Sequence, residues 1–589
     1  MKQFLITVAG VLVGGFLLLL IPIVFLAIIG SAVSAITSNT TQPEQNTVLV
    51  YDLETKVVDY QAVSPMAQIN IALSGKTTNS ITLSNLINTL QDAADDDNIS
   101  CLWLCGTTSG ASYSTMKEVL PYLNKFKEKG KRIYYFGNNL DQSALYLASA
   151  ADSLFIVPTG TLMVYGLSST HSYYKNALDK FGIDMQIIRH GKYKSAVEPY
   201  MSDHMSDAAR EQTQKYLDAI WADVRNTIAT NRNIEPNSID QYANKLNFAQ
   251  LQTALDAHLI DRCIYKDEFL AILREQIGIE PDEDIKTVGV AHYNSSTNLQ
   301  EEFSDNKIAI IYAQGEILDG TSSGISDEIY GDDLSRTIRQ ARIDDDVKAI
   351  VLRVNSPGGS ALASDVIWRE VKLTSQTKPI VVSMGQYAAS GGYYISCAAN
   401  YIFAEPTTIT GSIGIFGMIP CMKKAANNIG LTFDIVNTNE QGEPTLVEPL
   451  SEGWTDMFQK TVEAGYQTFI TRCADGRNTT TDHIDSIGQG RVWAGADAIN
   501  LGLVDQLGSL NDAVLYAAEL ADINDDYEIT ELPLADDSFT ALVKQLGMNT
   551  RASIGRCILG KSYDMVETIE RISDKPTINA RMEYNIELH

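Results

Sequence analysis

The residue with the clearest chemical potential is Ser390, in the run Ala388-Ala-Ser-Gly-Gly392. A strand-like apolar segment precedes this serine, and a helix-like pattern follows the two glycines. The pattern predicts a hydroxyl on a tight turn at a helix N-terminus, where N–H groups and the helix dipole favour developing negative charge. This placement suits a nucleophile whose reaction passes through an oxyanion. No histidine-based triad is evident around Ser390, so its base must come from elsewhere in the chain.

The elements that must position Ser390 occur twice, because the chain repeats itself with a shift of 248 positions. In both copies a helix with apolar residues at helical spacing ends in an acidic turn, and strands are predicted at 99–104 and 347–352. Alternating short strands and amphipathic helices are typical of an α/β fold with mainly parallel pairing. The copies span 47–295 and 305–525, and residues 526–589 form a tail to which the sequence assigns no role.

The two copies differ at the positions of chemical interest. The second copy holds three features that the first has lost, namely Ser390, the glycines Gly358 and Gly359, and Ser412. The first copy carries Lys192 and Lys194, whereas its counterpart at 437–449 contains no lysine. Because a packing role would not predict this complementary loss, we expect the two copies to build one site between them.

A serine hydroxyl becomes a good nucleophile only when a base removes its proton. A lysine can be that base if burial disfavours its ammonium form, and the residues around Lys194 are moderately apolar. Gly358 and Gly359 are candidates for oxyanion donors, since glycine lets the backbone approach closely. Ser412 would either orient the lysine amine or cap a turn. His190 could serve as an alternative base, but we expect it to be a surface or hydrogen-bonded residue, because the other copy has no histidine there.

The N-terminus has the pattern of a membrane anchor. No charged residue lies between Lys2 and Glu44, and the apolar run from Phe4 to Ile29 is long enough to cross a bilayer. The run exceeds the usual signal-peptide core, although Ser31–Ala35 resembles a signal peptidase site and leaves cleavage as the alternative. The positive-inside tendency places the N-terminus in the cytoplasm, residues 1–40 in the anchor and the rest outside.

Composition excludes several function classes. A net charge of -28 and a pI near 4.6 argue against nucleic-acid binding, which needs clustered basic residues. The seven cysteines are scattered without a CxxC motif, and the histidines form no ligand pair. We therefore expect no metal and no cofactor.

Five motifs in order resemble the long, duplicated form of the signal peptide peptidase A (protease IV) family, over roughly residues 45 to 530. They are Asn355-Ser-Pro-Gly-Gly359, Ala389-Ser-Gly-Gly-Tyr-Tyr394, Thr410-Gly-Ser-Ile-Gly-Ile-Phe-Gly417, Tyr193-Lys-Ser-Ala-Val-Glu-Pro199 and Gly490-Arg-Val-Trp-Ala-Gly495. The resemblance implies two crotonase/ClpP-like β-β-α spiral units behind one transmembrane helix. It also implies that Ser390 is the nucleophile, Lys194 rather than Lys192 the general base, and Ser412 the residue that orients it. Gly358 or Gly359 would supply the oxyanion N–H.

The same resemblance implies a single-pass protein of the cell inner membrane, with its catalytic part on the periplasmic side. It would form a homotetramer and degrade signal peptides and other hydrophobic peptides. Two other classes stay open. An acyl-CoA enzyme of the crotonase type would use the same paired N–H groups on a thioester, and a duplicated membrane scaffold would have no chemistry.

Overall fold

The computed structural model describes residues 42–61, 80–293, 304–322, 328–524, 526–532 and 578–581. Its strands are β1 Thr47–Asp52, β2 Lys56–Val58, β3 Ser80–Thr82, β4 Ile99–Cys105, β5 Arg132–Asp141, β6 Ser153–Met163, β7 Asp184–Arg189, β8 Arg262–Cys263, β9 Thr287–Gly289, β10 Lys307–Gln314, β11 Ile317–Leu318, β12 Ile329–Tyr330, β13 Val347–Ser356, β14 Gly358–Ser360, β15 Ile380–Ala389, β16 Tyr401–Ala404, β17 Ile409–Gly411, β18 Phe416–Cys421, β19 Val492–Ala494, β20 Gln506–Leu507, β21 Glu528–Leu532 and β22 Ile578–Arg581.

The helices alternate with these strands. They are α1 Leu83–Asp95, α2 Tyr113–Glu128, α3 Gln142–Ala148, α4 Lys175–Phe181, α5 Glu198–Met201, α6 Asp207–Arg232, α7 Pro236–Lys245, α8 Leu251–Asp256, α9 Lys266–Ile277, α10 Gly331–Ile343, α11 Ala361–Thr374, α12 Gly391–Ser396, α13 Lys423–Asn428, α14 Glu452–Gly476, α15 Thr481–Ile487, α16 Gly495–Ala498 and α17 Leu510–Leu520, with a 3₁₀ turn at Ser195–Val197.

Two large sheets have matching strand orders. The first runs β8-β6-β5-β4-β1-β9 and the second β19-β17-β15-β13-β10-β21, with β16 paired to β15 and β20 paired to β16. All pairs in these two sheets are parallel except β17 with β19. The α/β prediction is therefore confirmed. The strand β21, which the sequence placed in the tail, pairs with β10 and extends the second sheet.

A third sheet, also of six strands, joins the two copies and the tail, in the order β12-β11-β14-β22-β18-β7. Strand β7 comes from the first copy and pairs antiparallel along the whole of β18 from the second. The tail strand β22 lies between β14 and β18 and is antiparallel to both. This sheet thus includes both the strand before the first copy's lysine segment, β7, and the strand of the second copy's glycine loop, β14, with β18 and β22 between them.

The cores of the two copies also meet. The main apolar cluster of the first copy includes Ala389 and Ile409 from the second, next to the predicted nucleophile. Along the stretches that the structure describes, no helix is both long and apolar enough to span a membrane. The predicted anchor at Phe4–Ile29 lies outside the described residues.

Candidate active site

Ser390 lies where strand β15 ends and helix α12 begins. Its φ of 55° is in the left-handed region, a conformation that costs a non-glycine residue on the order of 1–3 kcal/mol. The Ser390 N–H donates to the carbonyl of Gly411 at 2.8 Å, which holds the turn against strand β17. The residue is fully buried. The strained turn thus fixes the hydroxyl in the interface, or joint, between the two copies.

Lys194 of the first copy reaches this hydroxyl within one chain. Its Nζ lies 2.9 Å from Ser390 Oγ, 3.0 Å from Ser412 Oγ and 3.3 Å from the Ser412 carbonyl. These three oxygens are uncharged, and Lys194 has 0% exposure to solvent. The ring of Phe416 lies 5.9 Å from the same nitrogen. The structure therefore brings together Ser390, Lys194 and Ser412.

The segment before Lys194 is held by the second copy through its backbone. The His190 N–H donates to the carbonyl of Ile415 at 3.2 Å, and the Tyr193 N–H donates to that of Gln489 at 2.9 Å. The first bond continues the pairing of β7 with β18, and the second joins the lysine segment to the residues before β19. The position of Lys194 is thus set by main-chain hydrogen bonds between the two copies.

Gln212, on helix α6, ties the lysine segment to the second copy from the other side. Its Nε2 donates to the Tyr193 carbonyl at 3.1 Å and to Ser195 Oγ at 2.8 Å. Its Oε1 accepts from the N–H of Val492 at 3.1 Å. Because Gln212 is buried, these three bonds form where water cannot compete. We conclude that Gln212 positions Lys194 by bonding the residues before and after it.

The two other basic residues of this segment take different places. The ring of His190 stacks on Tyr466 with the ring centroids 4.0 Å apart. Lys192 is exposed, and its Nζ lies 5.1 Å from the ring centre of Tyr193. The amine that meets Ser390 is therefore that of Lys194.

Gly490 leaves room for the lysine backbone. A Cβ at Gly490 would lie 2.6 Å from the N, Cα and Cβ atoms of Lys194, closer than real side chains approach. Its φ of +84° also favours glycine. The glycine of the Gly490-Arg-Val-Trp motif therefore acts on the site through the lysine backbone.

We predict that Gly490→Ala lowers the reactivity of Ser390 at least 10-fold, because a displacement of about 1 Å at a catalytic group costs on the order of 100-fold. The measurement is the second-order rate constant with which a fluorophosphonate labels Ser390. Gly430→Ala is the matched control, since its φ of +85° is nearly the same and a Cβ there meets nothing within 4 Å. Equal losses in the two variants would show that backbone strain, and not contact with Lys194, explains the effect.

The glycine loop packs against Gly391, the residue that follows Ser390. Gly358 has a φ of +102°, and a Cβ there would lie 2.7 Å from the Gly391 nitrogen and 2.2 Å from the carbonyl oxygen of Ala580. The Gly358 N–H is 3.1 Å from Ser356 Oγ, its acceptor in this structure. Gly359 pairs with Ala580 in the β14–β22 ladder. Both predicted oxyanion glycines therefore lie against the tail strand, beside the turn that carries Ser390.

Residues 125–280 and 372–524 match the family described as Peptidase family S49. The matched stretches include Lys194 in one case and Ser390 in the other. The chain belongs to peptidase family S49. It is accordingly a serine peptidase, with the family region present twice.

Curated S49 relatives align along almost the whole chain. "Protease 4" of Salmonella typhi is 36% identical over 89% of this chain and 87% of its own length. "Serine protease SPPA, chloroplastic" of Arabidopsis thaliana is 30% identical over 88% of this chain and 76% of its own. Among solved structures, ClpP1 from Listeria monocytogenes aligns with 17% identity over 34% of this chain and 92% of its own, with a TM-score of 0.23.

Sequence reasoning missed two parts of the S49 site. Gln212 lies in a helix with an ordinary amphipathic pattern, so no local signal separates it from a solvent-facing glutamine. The tail strand β22 is a short piece of a region without a recognisable motif. Its only available signal was a small residue, Ala580, within a strand-compatible stretch, which is too common to be specific.

Proposed function

We propose that this chain is a membrane-anchored serine endopeptidase with a Ser/Lys dyad, in which Ser390 is the nucleophile and Lys194 the general base. The observation that carries the proposal is the 2.9 Å separation of Lys194 Nζ and Ser390 Oγ in one buried joint. A general base must lie within hydrogen-bond reach of the proton that it removes, and this pair satisfies that condition.

In the proposed reaction, Lys194 in its neutral form takes the Ser390 proton as Oγ attacks the scissile carbonyl. The oxyanion is held by the Gly391 N–H and by an N–H of the glycine loop, either that of Gly359 or that of Gly358 once it leaves Ser356 Oγ. Lys194 then gives the proton to the leaving amine, and an acyl-enzyme remains on Ser390. A water molecule, activated by the same lysine, hydrolyses this ester. Ser412 keeps the amine aimed at the serine through its 3.0 Å hydroxyl contact.

The proposed substrates are extended, apolar peptides such as signal peptide remnants. Strands β14 and β18 both pair with β22, so the space between them is the width of one strand. An extended peptide can enter such a space by adding main-chain hydrogen bonds to both edges. A peptide in this space would lie across the buried joint that holds Ser390.

A fluorophosphonate probe tests the proposed function. We expect stoichiometric labelling of Ser390, located by peptide mapping, and no labelling of Ser390→Ala. We also expect the wild type to hydrolyse casein and a synthetic signal peptide. Binding of coenzyme A without labelling of Ser390 would favour an acyl-CoA enzyme, and neither labelling nor hydrolysis would favour a scaffold without chemistry.

Anchoring and assembly are further parts of the proposal. The apolar run Phe4–Ile29 supports a single-pass protein of the cell inner membrane with its catalytic part on the periplasmic side.

Residues 432–437 are the repeat counterpart of β7, and they expose the side chains of Phe433, Ile435 and Val436. An exposed apolar stretch of this kind supports an interface with further copies, proposed as a homotetramer. Carbonate extraction of membranes and light scattering in detergent test the two parts, and a carbonate-soluble protein or a monomeric mass would contradict them.

A further inference from the structure

Helices α12 and α14 of the second copy lie against each other next to the nucleophile. Ser390 is the N-cap of α12, and Cys397 is the residue at which this helix ends. The rings of Tyr394, on α12, and Phe469, on α14, lie with their centroids 4.5 Å apart. A Cβ at Gly476, in the last turn of α14, would lie 1.9 Å from the carbonyl oxygen of Cys397. The backbones of the two helices therefore approach each other closely.

Two cysteine side chains meet between these contacts. Cys397 lies three positions after Tyr394 and Cys473 four positions after Phe469, so each follows its ring on the same face of its helix. The Cys473 thiol is hydrogen-bonded to that of Cys397. The Cys397 thiol also donates to the Tyr394 carbonyl at 3.2 Å. Both cysteines are fully buried, so the pair lies in the enclosed core of the copy that carries Ser390.

The contact between the two thiols distinguishes them from ordinary core cysteines, which behave as small apolar residues. A disulfide forms only where two Cα atoms lie about 4.4–6.8 Å apart and the side chains point toward each other. The hydrogen bond meets the second condition, and the close approach at Gly476 is the packing that the first requires. In the first copy Ser149 takes the position of Cys397, and its Oγ accepts from Asn231 at 2.9 Å. The cysteine pair therefore belongs to the copy with the nucleophile.

We propose that Cys397 and Cys473 are joined by a disulfide in the mature protein, which fastens the helix of the nucleophile to α14. The proposal rests on the periplasmic placement in the proposed function, because disulfides form and persist in oxidising compartments. The oxidant is the disulfide of an exported thiol–disulfide oxidoreductase. One cysteine thiolate attacks this disulfide and forms a mixed disulfide, and the other thiolate then displaces the oxidoreductase. The two thiols lose two protons and two electrons, and the oxidant leaves as a dithiol.

The bond must form while the chain folds. Burial and the hydrogen bond to Cys397 raise the pKa of Cys473, although the charge of Arg477 opposes them. Because the thiolate is the attacking species, the thiols of the closed core react slowly. During export both side chains meet the oxidant before α12 and α14 pack together. The finished bond closes a loop over residues 398–472, and stabilisation by a disulfide increases with the length of the loop that it closes.

Peptide mapping of the full-length protein, extracted from inner membranes, tests the proposal. Free thiols are blocked with N-ethylmaleimide under denaturing conditions, and the chain is then digested without reductant. We expect a cross-linked peptide that contains Cys397 and Cys473 and that dithiothreitol separates into its two parts. Cys101 is the matched control, because it is equally buried but lies in the first copy, and it should carry the maleimide.

Unfolding in urea, followed by circular dichroism, gives a second measurement that does not depend on peptidase activity. Reduction of the wild type should raise the equilibrium constant for unfolding at least about 30-fold, since the closed loop is long. The double variant Cys397→Ala, Cys473→Ala should have the same urea midpoint with and without dithiothreitol. Cys101→Ala should keep the difference between the oxidised and the reduced protein.

Protease added to spheroplasts separates a failure of this proposal from a failure of the proposed function. If the catalytic part is digested and both cysteines carry maleimide, the periplasmic placement stands and the disulfide is refuted. If the catalytic part is protected, the placement fails and the disulfide with it. A bond from either cysteine to a different partner would also overturn the proposal. A cross-linked Cys397–Cys473 peptide from protein that no fluorophosphonate labels would overturn the serine chemistry and leave the disulfide standing.

Discussion

Replacement of Lys194 by alanine is expected to lower kcat/KM for a peptide substrate by about 10²–10⁴-fold, the range that a positioned general base contributes. The reason is that the Lys194 amine lies 2.9 Å from Ser390 Oγ in a site closed to solvent. The alanine side chain cannot accept the serine proton. The measurement is steady-state hydrolysis of a synthetic signal peptide, with fluorophosphonate labelling of Ser390 as a second readout.

Lys192→Ala is the matched control for this prediction. Lys192 is two positions away and exposed, so its loss should change kcat/KM less than twofold. The double variant Ser390→Ala, Lys194→Ala should be no less active than Ser390→Ala alone, because residues that act as a unit are not additive. Full activity of Lys194→Ala, or a loss in Lys192→Ala as large as in Lys194→Ala, would refute the assigned base.

Much of the scaffold could be predicted from the repeat. Strand β5 at Arg132–Asp141 and strand β15 at Ile380–Ala389 are separated by the 248 positions of the sequence shift. The predicted strands at 99–104 and 347–352 are present as β4 and β13, each longer at its C-terminal end. Local hydrophobic pattern predicts such elements well, because alternation and helical spacing depend on near neighbours in the chain.

The joint between the copies could be predicted only in part. Complementary loss of residues indicated that Lys194 and Ser390 should meet, and they do. Which side chains hold them depends on packing between residues far apart in sequence, as with Gln212 and Val492. The pairing of β22 with β14 joins segments more than 200 positions apart, and no periodic pattern marks it.

A buried ionic cluster, formed by Arg353, Asp59 and Glu118, joins the two copies. Arg353 lies on strand β13, and its Nε donates to Asp59 Oδ1 at 2.8 Å. Its Nη2 donates to Glu118 Oε1 at 2.6 Å. All three side chains are at most 2% exposed. Because both carboxylates come from the first copy, the cluster holds the two copies together.

Opposing effects act on the charges in this cluster. Burial raises the pKa of Glu118, although Arg353 and the Leu510 N–H favour its charged form. Burial alone would lower the pKa of Arg353, but Asp59 and Glu118 outweigh it and the pKa is raised. A charge in such a place is tolerated only while its partners remain, since desolvation penalises it strongly.

The second large effect is therefore expected from Arg353→Ala, which leaves two buried carboxylates without their cation. Removing one partner of a buried ion pair destabilises a protein by about 3–5 kcal/mol. The measurement is the urea midpoint of the full chain in detergent. Arg336→Ala is the control, because its pair with Asp333 is exposed and such pairs contribute about 0–1 kcal/mol.

Neutral replacement of the whole cluster separates charge from packing. The triple variant Arg353→Met, Asp59→Asn, Glu118→Gln should recover most of the lost stability, because it leaves no unpaired charge in the joint. An Arg353→Ala variant as stable as Arg336→Ala would refute the role of the cluster. Asp59 also accepts from Asn355 Nδ2 at 2.7 Å, and Asn355 Oδ1 accepts from the Tyr387 N–H at 3.2 Å. Through Asn355, the cluster thus contacts the strands that present the glycine loop and Ser390. We therefore expect the triple variant to be nearly as stable as the wild type and still to have a lower kcat.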